Sequence, residues 1–251
     1  MSKGRVKMAM SQGVSVWVIE APHGFGEAAF HAHHAIQITA SLAGELALST
    51  EHETLVAPLV AVSADNRHRF EAHGLLAFIF VEPESRPGRS LAAKLFERGP
   101  LVALDDTALA DLLRALAATF EEDLDQEALL RIGAAAVEHL VPQGLAKLPD
   151  LRVQKIIDYA IAHLEEPLTL ESASEGIYLS PSRLRHLFVE QTGLAFRTYL
   201  VWLRLVKAVQ VYSEGSSLTE AAHAAGFSDS AHFSRIFRRT FGLPATSVTR
   251  V

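Results

Sequence analysis

The chain has 251 residues, 49% hydrophobic and 21% charged, the proportions of a soluble globular protein and not of a disordered one. It has no cysteine, which excludes a disulfide framework and thiol chemistry and points to a reducing cytoplasm. The net charge of −6 is uneven: residues 151–251 hold 11 Lys+Arg against 9 Asp+Glu, a balance of +2, and residues 1–150 carry −8. An acidic first half and a mildly basic second half place any nucleic-acid contact in the second. No apolar run approaches the roughly 20 residues that a membrane-spanning helix needs. Residues 1–13 are basic without an apolar segment behind them, so they read as a frayed start and not as a signal peptide.

From 14 to 81 the chain is built of short alternating or apolar runs, VSVWVIE, AIQITA, ELALST, LVAVSA and LLAFIFV, broken by Gly, Pro, His and Asn. That pattern predicts short strands in a small barrel or sandwich. Within it stands Gly26-(x4)-His31-Ala-His33-(x3)-Gln37-(x6)-Gly44, followed by Pro58 and His68. The arrangement is similar to the paired motifs of cupin barrels. The resemblance implies a divalent-metal site made of His31, His33, Gln37 and His68. Gln37 stands where metal cupins have Glu, which removes the anionic ligand and weakens divalent binding. The alternatives are a barrel that binds an organic effector, or one that binds nothing. His34, His52 and His73 read as surface residues.

From 90 to 140 the period becomes helical. Leu109, Leu112, Leu113, Leu116 and Phe120 form one apolar stripe, and Leu129, Leu130, Ala134, Val137 and Leu140 form another. They predict helices over 107–121 and 126–140, which cover one side of the barrel or form a dimer seam. Two prolines and a glycine make 142–150 the linker between a domain at 1–141 and one at 151–251.

Everything after 151 is helical by period, with a lead helix over 151–164. Residues 169–193 then overlay residues 218–242 at a fixed offset of 49 without a gap, pairing Glu171 with Glu220, Tyr178 with Phe227, Phe188 with Phe237 and Gly193 with Gly242. A fixed-offset repeat is one supersecondary unit built twice. Each copy reads as helix, tight turn, helix. Ser180 and Asp229 are N-caps of the second helices, Pro181 suits a first turn, and Gly193 and Gly242 sit past the helix ends. With Leu184, Leu187, Phe188, Phe233, Ile236 and Phe237 facing inward, the outward residues are Ser182, Arg183, Arg185, His186 and Val189 in the first copy. In the second they are Ser230, Ala231, Ser234, Arg235, Arg238 and Arg239. Arginine can read guanine bidentately, and small polar residues let a helix approach the groove. Arg238 and Arg239, late in their helix, suit phosphates. A helix over 196–213 separates the copies by roughly 27 Å, close to the spacing of about 34 Å between successive major grooves.

YLVWLRLVKA at 199–208 and LTEAAHAAGFSDSAHFSRIFRRTFGLP at 218–244 resemble the DNA-binding domain of AraC-type (AraC/XylS) transcription regulators. The resemblance covers about 100 residues, 151–250. It implies base contacts at Ser182, His186, Ala231 and Arg235, with Arg183, Arg185, Ser230 and Ser234 beside them. The first copy departs from the pattern, because Ile177 stands where the family has glycine before the aromatic. The fold class expected is α+β: a cupin-like β-barrel with two or three helices, then an all-α domain of two helix-turn-helix units joined by a long helix. The expected function is sequence-specific transcription regulation in the cytoplasm, with double-stranded DNA as partner and no membrane. A small-molecule effector in the barrel, RNA polymerase and a second copy of the chain are further candidate partners. No cofactor beyond the barrel's candidate metal, and no catalysis, is expected. The competing expectation is a cupin-type metal-binding enzyme with an appended helical domain.

Overall fold

The computed structural model describes residues 4–11, 13–24, 28–105, 107–122, 125–141 and 149–250. Gly26 and positions 142–148 of the expected linker lie outside them. The chain divides into two compact units, Met1–Ala146 with Phe237–Val251, and Lys147–Ile236. Where the sequence places all of 151–251 in one domain, the last residues of the chain pack with the first unit.

The first unit contains β1 (Gly4–Ser11), β2 (Val14–Ala21), β3 (Ile36–Thr50), β4 (Thr54–Val56), β5 (Leu59–Val62), β6 (His68–Val81), α1 (Arg86–Leu95), β7 (Leu101–Ala103), α2 (Ala110–Glu121) and α3 (Gln126–Leu140). At the chain's end β8 (Val248–Arg250) pairs parallel with β1. The eight strands form one sheet in the order β7-β5-β3-β6-β2-β1-β8, with β4 paired to β3. The expected frayed start is instead β1, in register with β2 from Arg5 opposite Glu20 to Ser11 opposite Val14. Its Val6, Met8 and Ala9 are buried, and Lys7 Nζ donates to the Thr119 and Glu122 carbonyls, 2.8 and 3.0 Å away, at the end of α2. The alternation of MAM within a basic stretch is too short to stand out in the sequence.

Period-two alternation gives the sheet two different faces. Val16, Val18, Ile36, Ile38, Ile79 and Val81 form one core with Leu91 of α1, Leu116 and Phe120 of α2, and Leu129 and Val137 of α3. The Leu stripe expected either to cover the barrel or to form a dimer seam packs on this face. The residues between them, Trp17, Ile19, Gln37, Phe78 and Phe80, face the opposite side and line a pocket with Phe70. Both faces are covered, which explains why VSVWVIE and LLAFIFV read as nearly continuous apolar runs. Gly44 and Gly74 sit opposite each other beside the bulge at Ser41/Ala43. A Cβ on Gly44 would stand 2.2 Å from the His73 carbonyl oxygen, so the two long strands can meet there only through glycine.

The second unit holds α4 (Leu151–Ala162), α5 (Leu170–Ala173), α6 (Pro181–Thr192), α7 (Phe196–Ser213), α8 (Leu218–Ala224) and the first part of α9 (Ser230–Phe241). Its core is aromatic at the centre. Phe188 of α6 meets Phe196 and Tyr199 of α7 edge to face, at 5.3 and 5.4 Å between ring centroids. Arg204 of α7, part of the Y-L-x-x-x-R-L motif, donates to the Leu164 and Glu166 carbonyls at 3.1 and 3.2 Å. That motif arginine ties the end of α4 to α7; it is a structural clamp.

The gapless repeat is corrected by the structure. The N-caps of the second helices, Ser180 and Asp229, are 49 positions apart, but those of the first helices, Thr169 and Ser217, are 48 apart. The left-handed turn glycines, Gly176 and Gly226, are 50 apart. The first copy has a shorter first helix and one more residue between that glycine and the next cap. Tyr178 therefore does not take the place of Phe227: Tyr178 is 99% exposed and Phe227 5%. Half-buried Ile177, which directly follows Gly176 as Phe227 follows Gly226, points inward instead.

Candidate nucleic-acid interface and histidine cluster

The two second helices, α6 and α9, begin as the sequence predicts. Ser180 Oγ accepts from the Arg183 amide at 3.3 Å, and Asp229 Oδ1 accepts from the His232 amide at 2.6 Å. That amide, followed by the Ser228 hydroxyl, holds the Asp229 carboxyl below its ordinary value, so the cap is ionised at neutral pH. Gly193 closes α6 at φ 79° and Gly242 closes α9 at φ 73°. Leu184, Leu187 and Phe188 are buried in α6, and Phe233 and Phe237 in α9; Ile236 is half-buried. Ser182, Arg183, Arg185 and His186 are all exposed, as are Ala231, Arg235, Arg238 and Arg239, with Ser230 and Ser234 half-buried beside them. Every expected contact residue thus lies on a solvent face of α6 or α9. Arg185 lies 3.7 Å from Glu171 of α5, both exposed, a pairing that phosphate or guanine can displace at little cost.

The first unit brings the other predicted set together. His31 and His33 lie on the segment before β3, and His68 opens β6. His31 and His68 exchange backbone hydrogen bonds of 2.8 and 2.9 Å, which places their rings 4.3 Å apart. His31, His33 and His68 are all buried, with candidate ligand atoms within 4.8 Å of one another. Each ring has its Nδ1 against a backbone carbonyl: Ala29 at 2.8 Å, Ala35 at 3.1 Å and Asn66 at 2.9 Å. A carbonyl only accepts, so each Nδ1 carries the proton and each Nε2 of the neutral ring carries a lone pair. The rings are neutral. Burial lowers the pKa of His31, burial and then the charge of His31 lower His33 to about 4, and burial followed by His33 and His31 lowers His68 well below the usual value. His68 Nε2 is buried with no hydrogen-bond partner among the described residues. The Gln37 amide lies 2.9 Å from His33 Nε2 and 2.8 Å from the Thr39 hydroxyl. The structure sets Gln37 Oε1 against His33 Nε2 and has Gln37 Nε2 donating to Thr39 Oγ1; a His33 ring protonated only at Nδ1 requires this amide to be turned over.

Three converging neutral imidazoles, each oriented by a backbone carbonyl, form the donor set that zinc, copper, nickel, cobalt and ferrous iron favour. The orphaned Nε2 of His68 fits such an ion. Gln37 can turn its carbonyl inward as a neutral fourth ligand. Around the cluster lie Trp17, Phe70, Phe78 and Phe80 of the sheet and Phe237, Phe241, Leu243 and Pro244 from the chain's end, all within the first unit. The free cavity among them is about 30 Å³.

His34 corrects an expectation. It is 3% exposed, with Nδ1 2.8 Å from Asp65 and Nε2 3.2 Å from Glu84. Burial works against its charge, but the hydrogen bonds to Asp65 and Glu84 outweigh it and raise the pKa to about 9. His52 and His73 are exposed, as expected.

Residues 174–250 match a family model described as a helix-turn-helix domain. That stretch of the chain is therefore a helix-turn-helix domain. Over 160 residues it is 29% identical to YpdC of Escherichia coli strain K12, named an uncharacterized HTH-type transcriptional regulator, a match covering 62% of this chain and 55% of that protein. Over 93 residues it is 37% identical to the HTH-type transcriptional activator RhaS of Citrobacter koseri, covering 37% of this chain and 34% of that one. The chain thus spans about half, or less, of the length of these relatives. Wild-type ToxT of Vibrio cholerae strain SCE256, solved with an unsaturated fatty acid bound, superposes over 97% of this chain and 95% of its own, with a TM-score of 0.56 at 13% identity. That likeness is one of fold.

Proposed function

We propose that this protein is a sequence-specific transcription regulator of the AraC type whose sheet domain is its sensor. The observation that carries the reading is the pair of capped second helices, α6 and α9, each with a buried apolar side and an exposed face of arginines and small polar residues. The relatives named as regulators support it, and none of them favours the enzyme reading. Fluorescence anisotropy on DNA selected from a random pool tests it. Affinity should fall steeply with salt as counterions are released. Arg235→Ala should lose about 1–3 kcal/mol and relax the preference at one base position; Arg239→Ala should weaken all sequences alike and flatten the salt slope by about one. Salt-insensitive binding, or none, would end this reading.

The signal we assign to the sensor is a divalent transition-metal ion held by His31, His33 and His68, with Gln37 beside them. ToxT is solved with a fatty acid, but the cavity here, about 30 Å³, holds only about one or two water molecules. Its polar end offers lone pairs, which suit a cation and not a carboxylate. When bound, the ion would supply a fixed charge and fixed ring positions. Calorimetry with Co²⁺ should show one site, lost in His68→Ala.

A further inference from the structure

Resting on that reading, we infer that the histidine cluster is read out through the end of α9: the C-terminal cap of this DNA-reading helix is seated on His31, so that metal occupancy and the seating of the helix end are linked. The division between the two units falls inside α9, after Ile236. Ala231 and Arg235, the two expected base-reading residues of the second copy, lie before it with Ser230 beside them, and Phe237, Phe241 and Gly242 lie after it in the unit that holds the histidines.

Three contacts within that unit make the seat. A Cβ on Gly242 would stand 2.5 Å from His31 Nδ1 and 2.7 Å from the Ala29 carbonyl oxygen, so the helix cap rests on the edge of the ring with no room for a side chain. The Ala29 amide donates to the Gly242 carbonyl at 3.3 Å, while the Ala29 carbonyl accepts from His31 Nδ1 at 2.8 Å. One residue therefore both fixes the ring and holds the helix end. Phe241 completes the seat, with its ring centroid 5.0 Å from Trp17, 5.7 Å from Phe80 and 6.0 Å from His33. Phe237 stacks on Trp17 at 6.4 Å.

His31 thus turns its Nδ1–Cε1 edge to the α9 cap, and its Nδ1 is held by the Ala29 carbonyl, which leaves Nε2 as the nitrogen for an ion. An ion that fixes Nε2 favours the ring position on which Gly242 is seated. A helix end held in this way is less free to settle in a DNA groove, so loading weakens DNA binding. Linkage makes the effect reciprocal: DNA must weaken the metal by the same factor.

The experiment uses the full chain, its selected DNA duplex and Co²⁺, with binding read by calorimetry and visible absorption and DNA affinity by anisotropy. Saturating Co²⁺ should raise the Kd for DNA roughly tenfold, within the usual range of such couplings. His68→Ala should abolish this response to Co²⁺. Gly242→Ala keeps all three histidines but crowds the seat, so Co²⁺ should still bind while the tenfold response shrinks toward none. If Co²⁺ binds and the wild-type DNA affinity is unchanged or tighter, the linkage is refuted and the metal site stands. If Co²⁺ does not bind, both fall. The wild-type comparison decides the matter even if a variant fails to fold.

Discussion

Phe227→Ala is expected to destabilise the helical unit by about 3–5 kcal/mol, and Tyr178→Ala to leave it within about 0.5 kcal/mol of wild type. The two residues occupy the same place in the sequence repeat and opposite environments in the fold. Phe227 is 5% exposed and packs against Phe233 at 5.6 Å and edge-on to His232 at 5.3 Å. Its removal empties a site between α8 and α9 that those neighbours cannot fill. Tyr178 is 99% exposed, so truncation gives up almost no buried surface. The change in the helical unit should be read by native-state hydrogen exchange of α8 and α9 amides, because a chain of two units has no single unfolding transition. A loss of 2 kcal/mol or more for Tyr178→Ala, by order of magnitude, would show that the exposed turn of the first copy is wrong.

That contrast shows what was legible in the sequence. The second helices were readable because cap, apolar spacing and terminal glycine all agree within a dozen residues, and the structure places Ser180, Asp229, Gly193 and Gly242 as expected. The first helix of the first copy was not, because a gapless overlay cannot reveal two length changes of opposite sign, two residues fewer before the turn glycine and one more after it. Thr169 rather than Leu168 has the hydroxyl needed at the cap, and Ser172 completes a capping box with it, the signal that could have exposed the shift. The strand region was legible as strands, but its two-faced packing was not. Trp17 and Val16 are neighbours in one apolar run, yet one lines the histidine pocket and the other the core against α2 and α3. The histidines were found by motif spacing; the seat on His31 comes from Gly242, more than 200 positions away, and no local pattern announces such a contact. His34 was misread for the same reason: its partners Asp65 and Glu84 are distant in sequence and unremarkable by composition.

His34→Ala should cost the sheet unit about 3–5 kcal/mol, the usual penalty for removing one partner of a buried charged pair. Glu84 is 7% exposed and has the His34 imidazolium 3.2 Å away. Asp65, held at φ 59° with its amide on the His33 carbonyl at 2.9 Å, aims its carboxylate at the other ring nitrogen. Without the ring, Glu84 is left with less compensation beside Glu82, whose pKa is raised first by burial and then by the charge of Glu84. The pH dependence follows from the directions of the shifts. His34 rises from 6.5 unfolded to about 9 folded, so its contribution is complete below about pH 6.5 and is lost as pH rises through 9. That shift corresponds to roughly 3 kcal/mol. Glu82, with its raised value, loses stability in the same direction as pH rises above the unfolded carboxylate range. His33 acts oppositely: its pKa falls to about 4, so stability declines as pH drops from 6.5 toward 4. Hydrogen exchange of β3 and β6 amides should therefore show greatest protection near neutral pH, falling on both sides. His34→Ala should reduce the alkaline fall and leave the acid one, because the buried triad that produces the acid fall is intact. An unchanged alkaline fall would mean that His34 is not the charge holding Asp65 and Glu84 together.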